Sequence, residues 1–211
     1  GKAAVEAGTK NYSKGFTYAT GSASFVDLEH PLSAAEYVSV EGNDNSYAVV
    51  SGDLNTSASS SAVPMFQFKV NNPRNSNKST FNVSAVVKSS VATTTKPIHL
   101  QVYRGGATNN WVNLVSNTSS AADTDITLTA TPISSGFTDY YFNESPGIGT
   151  RYAECTDNTA NCWAYIRVYQ EAPGTSVAET LSIDMFNAEF SIYSPPALRG
   201  GTRLKGGTRL K

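Results

Sequence analysis

Met65-Phe66-Gln67-Phe68-Lys69-Val70 places large apolar side chains at every second position with Gln and Lys between them. A period of two puts alternate side chains on opposite faces of an extended strand, and no helix tolerates it. Similar β-branched and aromatic runs recur at 16–20, 37–40, 46–50, 81–87, 98–103, 111–115, 126–130, 139–142, 164–169 and 181–193. Turn-forming clusters separate them: Asn43-Asp44-Asn45, Asn71-Asn72-Pro73-Arg74-Asn75, Gly105-Gly106 and Pro146-Gly147. Helical periodicity is scarce, because Pro and Gly interrupt the chain too often. About ten short strands at this spacing predict an all-β fold, an antiparallel β-sandwich of the jelly-roll kind in a single domain. The alternation puts Phe66, Phe68, Val70, Leu100, Val102, Ile166, Val168, Ile183 and Met185 inside. The Ser-rich stretch 54–62 reads as a loop within that domain, since strand patterning continues on both sides.

The chain divides at its ends. Residues 1–14 are polar and Ala-rich and read as an N-terminal arm, 15–194 as the sandwich, and 195–211 as a tail that starts at Pro195-Pro196. The tail carries the hexapeptide Gly200-Gly201-Thr202-Arg203-Leu204-Lys205 and an identical copy at 206–211. It is expected to be a polar extension, native or engineered. Its five cations leave a mildly acidic body, because the whole chain has 16 basic and 17 acidic residues. A net charge of −1 argues against a nucleic-acid backbone binder, and no apolar run is long enough to span a membrane as a helix. Ser, Thr and Asn number 26, 22 and 17, so hydroxyls and amides hydrate the surface where a cytosolic protein would use charge. That composition, with Gly1 in place of an initiator Met, predicts a mature secreted or cell-surface protein.

Cys155 and Cys162 flank the polar stretch 156–161. This spacing predicts a disulfide that closes a short loop, and therefore an oxidising compartment. Zinc would need two more ligands, and His30 and His99 are distant in sequence. Asn-x-Ser/Thr sequons at Asn11, Asn55, Asn77, Asn82, Asn117 and Asn143 lie in turn-like stretches and are candidates for N-glycosylation, with chance occurrence in so polar a chain as the alternative.

Asn43-Asp44-Asn45-Ser46-Tyr47-Ala48 followed by Phe66-Gln67-Phe68, then Leu100-Gln101-Val102-Tyr103 with Trp111-Val112-Asn113-Leu114, and the closing stretch 181–190 together resemble galactose-binding-like jelly-roll modules of bacterial and archaeal surface proteins and appendages. The resemblance covers about residues 20–191. It implies a jelly roll at the cell surface, and no sugar-binding residue is carried over from it, because the turn before Tyr47 departs from the pattern.

No catalytic constellation is recognisable. Gly-x-Ser-x-Gly, His-Glu-x-x-His and a phosphate-cradling Gly loop are all missing from the sequence. Asp123, Asp125, Asp139 and Glu144 sit among turn residues without a functional spacing, so the expected protein is not an enzyme. It demands no cofactor. A structural calcium is the one ion its acids could hold, through Asp27, Glu29, Glu41, Asp44, Asp184 and Glu189 if the first and last strands are neighbours; solvated edge acids are the plainer expectation. For glycans, Trp111, Tyr140, Tyr141 and Trp163 could stack on sugar rings, although both Trp residues are expected in the core.

The leading expectation is a structural subunit that self-associates into a homo-oligomer or extracellular filament. In that scheme Ala3, Val5 and Ala7 of the arm would form the inward row of a donated strand. The competing expectation is a carbohydrate-binding or adhesin module.

Overall fold

The computed structural model describes residues 11–18, 30–50, 62–72, 79–106, 110–130, 150–151, 154–155, 162–171 and 179–192. Twelve strands occur there: β1 (Asn11–Tyr18), β2 (His30–Pro31), β3 (Ala48–Val50), β4 (Ala62–Asn72), β5 (Ser79–Ser89), β6 (Ile98–Gly106), β7 (Asn110–Asn117), β8 (Ile126–Ala130), β9 (Thr150–Arg151), β10 (Glu154–Cys155), β11 (Cys162–Gln170) and β12 (Leu181–Ile192). They form two antiparallel sheets. The larger runs β2-β1-β4-β11-β6-β7, with β10 joined to β11 and β9 to β6; the smaller runs β3-β12-β5-β8. Strands β3 to β6 alternate between the two sheets, and β3-β12-β5-β8 against β4-β11-β6-β7 is the strand order of a jelly roll.

The alternation read from the sequence decides what the sheets bury. Phe66, Phe68 and Val70 of β4, Ile166 and Val168 of β11, and Leu100 and Val102 of β6 meet Val83, Ala85, Val87, Leu181 and Ile183 of the smaller sheet in one core. At its centre the Phe68 and Phe186 rings stack at 3.7 Å and 4°, and Tyr12 meets both edge-on at 4.8 and 5.7 Å.

Four expectations change. Met185 is half-buried and stands outside the core, because the β12–β5 register slips between Ile183 and Met185. Asp184 is the extra residue of this bulge, and the inward row resumes at Phe186 and Ala188. The segment 37–40, read as a strand, belongs to helix α1 (Ala34–Ser39): Ser33 caps it in a capping box with Glu36, a local hydrogen-bonding gain that outweighs the β-branched residues. Residues 11–14, assigned to the arm, are part of the sandwich, since β1 pairs with β4 from Asn11↔Lys69 onward and Tyr12 is in the core. Among the sequons, Asn11, Asn82 and Asn117 fall in strands β1, β5 and β7, not in turns; Asn82 is exposed.

Candidate functional site

The larger sheet has a second face, turned away from the smaller sheet. Because Phe66, Phe68, Ile166, Val168, Leu100 and Val102 point inward, the residues between them point outward. Backbone register joins these into rows across the strands. Ser13 of β1, Gln67 of β4, Arg167 of β11, Gln101 of β6 and Asn113 of β7 lie opposite one another in turn. One side of this polar row is Met65, Tyr169, His99 and Ser116, again in cross-strand register. On the other side lie Lys69 opposite Tyr165, and Tyr103 opposite Trp111.

The centre of the face is withdrawn from water. Met65, Tyr103, Tyr169, Gln101 and Arg167 are all buried, and none of them belongs to the inter-sheet core. Arg167, 1% exposed, is the largest of the fully buried side chains. Its guanidinium lies 4.3 Å over the Trp111 ring and 4.9 Å over that of Tyr169, positions from which a π face attracts a cation. Its Nε donates to Gln101 Oε1 at 2.9 Å, and Nη1 stands 3.9 Å from Met65 Sδ. Burial pulls the guanidinium down to about 10, with Tyr169 opposing. The Tyr169 hydroxyl is pushed up by burial, while Arg167 and a hydrogen bond from Gln101 act against the shift.

The margins of the face are more open. Gln67, Lys69, His99, Trp111 and Tyr165 are half-buried, and Asn113 is exposed. Gln67 Oε1 is buried with no hydrogen-bond donor among the described residues, an arrangement that costs free energy unless a donor arrives. His99 bridges Ser116 Oγ at 2.6 Å and Glu171 Oε1 at 2.7 Å, and its ring is 5.1 Å from Tyr169. Asn113 Nδ2 donates to the same Ser116 hydroxyl at 2.7 Å. This Ser–His–Glu chain was invisible in sequence, since its members are spread over 99–171.

Of the expected sugar-stacking residues, the structure puts Trp111 on this outer face, which corrects its expected place in the core. The cause is a bulge: the β6–β7 register shifts after Leu100, and Leu114, Val112 and Val115 fill the core instead. The backbone of Trp163 pairs with Asn71 and with Glu154 at the far end of β11, while Tyr140 and Tyr141 lie outside the described residues. Cys155 stands directly opposite Cys162 in the β10–β11 ladder.

The calcium candidates divide. Asp27 and Glu29 lie outside the described residues, and Glu189 pairs with Asn82 along β12. Glu41 bridges to Met185, and Asp44 comes beside Asp184. Asp184 is fully buried instead of solvated at an edge. Its carboxylate accepts main-chain N–H bonds from Asp44 at 3.2 Å, Asn45 at 3.1 Å and Ser46 at 3.2 Å. These donors hold a carboxylate as they would hold an anion, so Asp184 fastens the turn before β3 to the β12 bulge. No group of three or more His, Cys, Asp or Glu side chains placed to hold a metal occurs among the described residues. Residues 1–10, Asn55, Asn77, Asn143 and the tail lie outside them too, as do Ala3, Val5 and Ala7. Among the described residues no helix is long and apolar enough to cross a membrane.

No family model matches the chain, and no curated protein sequence matches it. Solved structures similar to it include one described as "CBM4 structure and function", at a TM-score of 0.34 and 13% identity over 62% of this chain and 83% of that one. Another is the xylanase 10C of Cellvibrio japonicus with xylopentaose, at 0.33 and 15% over 73% of this chain. A third is the enzymatically active domain of tailspike protein 4 from bacteriophage CBA120, at 0.34 and 11% over 87%. The chain spans 26% of the xylanase chain and 19% of the tailspike chain. Similarities of this size do not define a shared fold, and the architecture rests on the strand register above.

Proposed function

We propose that this chain is a carbohydrate-binding module whose ligand lies on the outer face of β4-β11-β6-β7. The observation that carries the reading is the row Gln67–Arg167–Gln101–Asn113 set between aromatic side chains on the face turned away from the other described sheet. Sugars offer apolar C–H faces and rings of hydroxyls that both donate and accept. Trp111 and Tyr165 supply flat apolar surface, while the amides of Gln67, Gln101 and Asn113 supply donors and acceptors. Such a set fixes an oligosaccharide without chemistry at the glycosidic bond. The row contains no carboxylate pair of the kind that glycoside hydrolysis requires, which favours a binding role over an enzymatic one.

A glycan array followed by titration calorimetry tests the reading. Saturable binding by the isolated chain that falls at least about tenfold in Trp111→Ala, the loss of one good aromatic platform, supports it. Absence of binding to every glycan class would sink it. A secreted or cell-surface location, a glycosylated surface and a structural calcium remain compatible with such a module and are proposed along with it. The filament reading rested on the donated row Ala3, Val5 and Ala7 and on the tail, all outside the described residues, and no described edge or surface favours it over the outer face.

A further inference from the structure

We infer that the glycan taken by this face is an acidic one, a polymer bearing carboxylate or sulfate groups, with Arg167 as the residue that selects its charge. This rests on the carbohydrate-binding reading and adds the class of ligand. Three observations carry it.

The first is the surroundings of Arg167. A guanidinium buried to 1% exposure is expected to face a carboxylate, because an uncompensated buried charge is costly. Here its neighbours are one amide oxygen, one thioether and two rings. No carboxylate among the described residues contacts it. The π faces of Trp111 and Tyr169, 4.3 and 4.9 Å away, offset part of the cost. Among the described residues its fork has no bidentate oxyanion partner to match its geometry.

The second is the composition of the sheet. None of the five long strands β1, β4, β6, β7 and β11 contains Asp or Glu, whereas they hold Lys14, Lys69, Arg104 and Arg167. The whole chain has more acids than bases. Lys14 is matched by Glu36 at the sheet edge. Lys69 lies on the outer face two positions along β4 from Gln67, the residue opposite Arg167, with its ammonium 5.9 Å over the Tyr165 ring. Two acids stand at the margins of this face: Glu171, which follows β11 and is bonded to His99, and Glu154 of β10, opposite Trp163 at the far end of β11. The long strands themselves bring two cations and no carboxylate to the middle of the face, a balance that attracts a polyanion there.

The third is Gln67 Oε1, buried without a donor among the described residues and directly across the ladder from Arg167. Beside an oxyanion on the guanidinium, a sugar hydroxyl would supply the missing hydrogen. Carboxylate and sulfate would use the same site, so the two sources must be separated by experiment.

The test is affinity electrophoresis and calorimetry of the full chain against four polymers: polygalacturonate, dextran sulfate, unmodified dextran and hydroxyethylcellulose. Binding to one acidic polymer about 10–100-fold above the neutral ones is expected, the range of one charge-assisted contact. It should weaken with added salt. Which of polygalacturonate and dextran sulfate binds identifies the anion. Arg167→Gln should remove the preference for charge, and Arg167→Lys should keep part of it, both read on protein with a native near-ultraviolet spectrum. Should Arg167→Gln fail to fold, Lys69→Gln decides, with an expected several-fold loss for the acidic polymer alone and a shallower salt dependence. Equal binding to neutral and acidic polymers, or acidic binding unchanged in the folded variant, overturns the inference and leaves a carbohydrate-binding module standing. No binding to any of the four, with a silent glycan array, overturns the module and the inference together.

Discussion

The inner and outer faces of the larger sheet are made by the same strands from alternate residues, and both are buried at their centre. On the inner face Phe66, Phe68, Ile166, Val168, Leu100 and Val102 are apolar and meet apolar partners. On the outer face Arg167, Gln101 and Tyr169 are also withdrawn from water, yet their polar atoms are only partly answered within the protein. Apolar burial of the first kind stabilises the fold. Burial of polar groups without full partners, the second kind, is retained at functional sites at some cost in stability. One face explains why the chain folds, and the other what a folded chain could hold.

The sharpest way to break this comparison is at Phe68. Its ring is fully buried, stacked on Phe186 and met edge-on by Tyr12, so Phe68→Ala removes both ring contacts and leaves a cavity. A loss of about 3–5 kcal/mol is expected in urea unfolding. A loss below about 1 kcal/mol would mean that the inner face is not the organising core.

A smaller effect is expected at the hairpin of β10 and β11. Cys155 and Cys162 are direct cross-strand partners, and Cα atoms so paired are about 4.5–5.5 Å apart, within the span a disulfide needs. Closing so short a loop should contribute about 2–3 kcal/mol. Mass spectrometry after alkylation, with and without reductant, gives the answer. Two alkylated cysteines in the unreduced denatured protein would exclude the bond.

The inner face was legible because its signal is local. Phe66-Gln67-Phe68 or Leu100-Gln101-Val102 states its orientation within a few residues, and eight of the nine residues expected inside follow from that rule, seven on β4, β6 and β11 together with Ile183. Met185 escaped it because one extra residue reverses the phase, and the cause of the bulge, the main chain at 44–46 donating to Asp184, lies about 140 residues away. Helix α1 did carry a local mark, Ser33-Ala34-Ala35-Glu36, that the apolar run at 37–40 obscured. The candidate site was hardly legible at all. Gln67, Gln101 and Arg167 look like ordinary surface positions in their own strands, and only the strand order β4-β11-β6 sets them side by side.

A third probe compares both faces with the end of the sandwich. Glu179 precedes β12, is 5% exposed, and neither of its carboxylate oxygens has a hydrogen-bond partner among the described residues. Burial pushes it up to about 7, with Lys96 pulling it down. A folded-state value above the unfolded one means that the native protein binds more protons between about pH 4.5 and 7. Stability from this group is therefore present below about 4.5 and is lost as pH rises to 7. Glu179→Gln should raise stability at pH 7.5 by about 1–2 kcal/mol and flatten that part of the pH profile. Thermal melts at pH 5 and 7.5 decide it: a melting temperature independent of pH in the parent chain, or a lower one in the variant at pH 7.5, would contradict the assignment.

The smallest expected effect on folding is at Trp111, and it sharpens the comparison most. On the inner face a Trp→Ala change would cost several kcal/mol. Trp111 is half-buried, meets Tyr103 edge-on at 5.3 Å and covers the Arg167 guanidinium at 4.3 Å. Its removal forfeits apolar contact and a cation–π attraction, but it also opens a buried cation to water, and rehydration opposes the loss. The two terms leave a net cost of about 1 kcal/mol. Glycan affinity should nevertheless fall by at least about tenfold, because the same half-buried ring is a flat apolar surface beside the polar row. Urea unfolding and calorimetric titration on one preparation of Trp111→Ala separate the two readouts. A large loss of stability with unchanged binding would place Trp111 with the core after all, and the outer face would then have no claim to be the site.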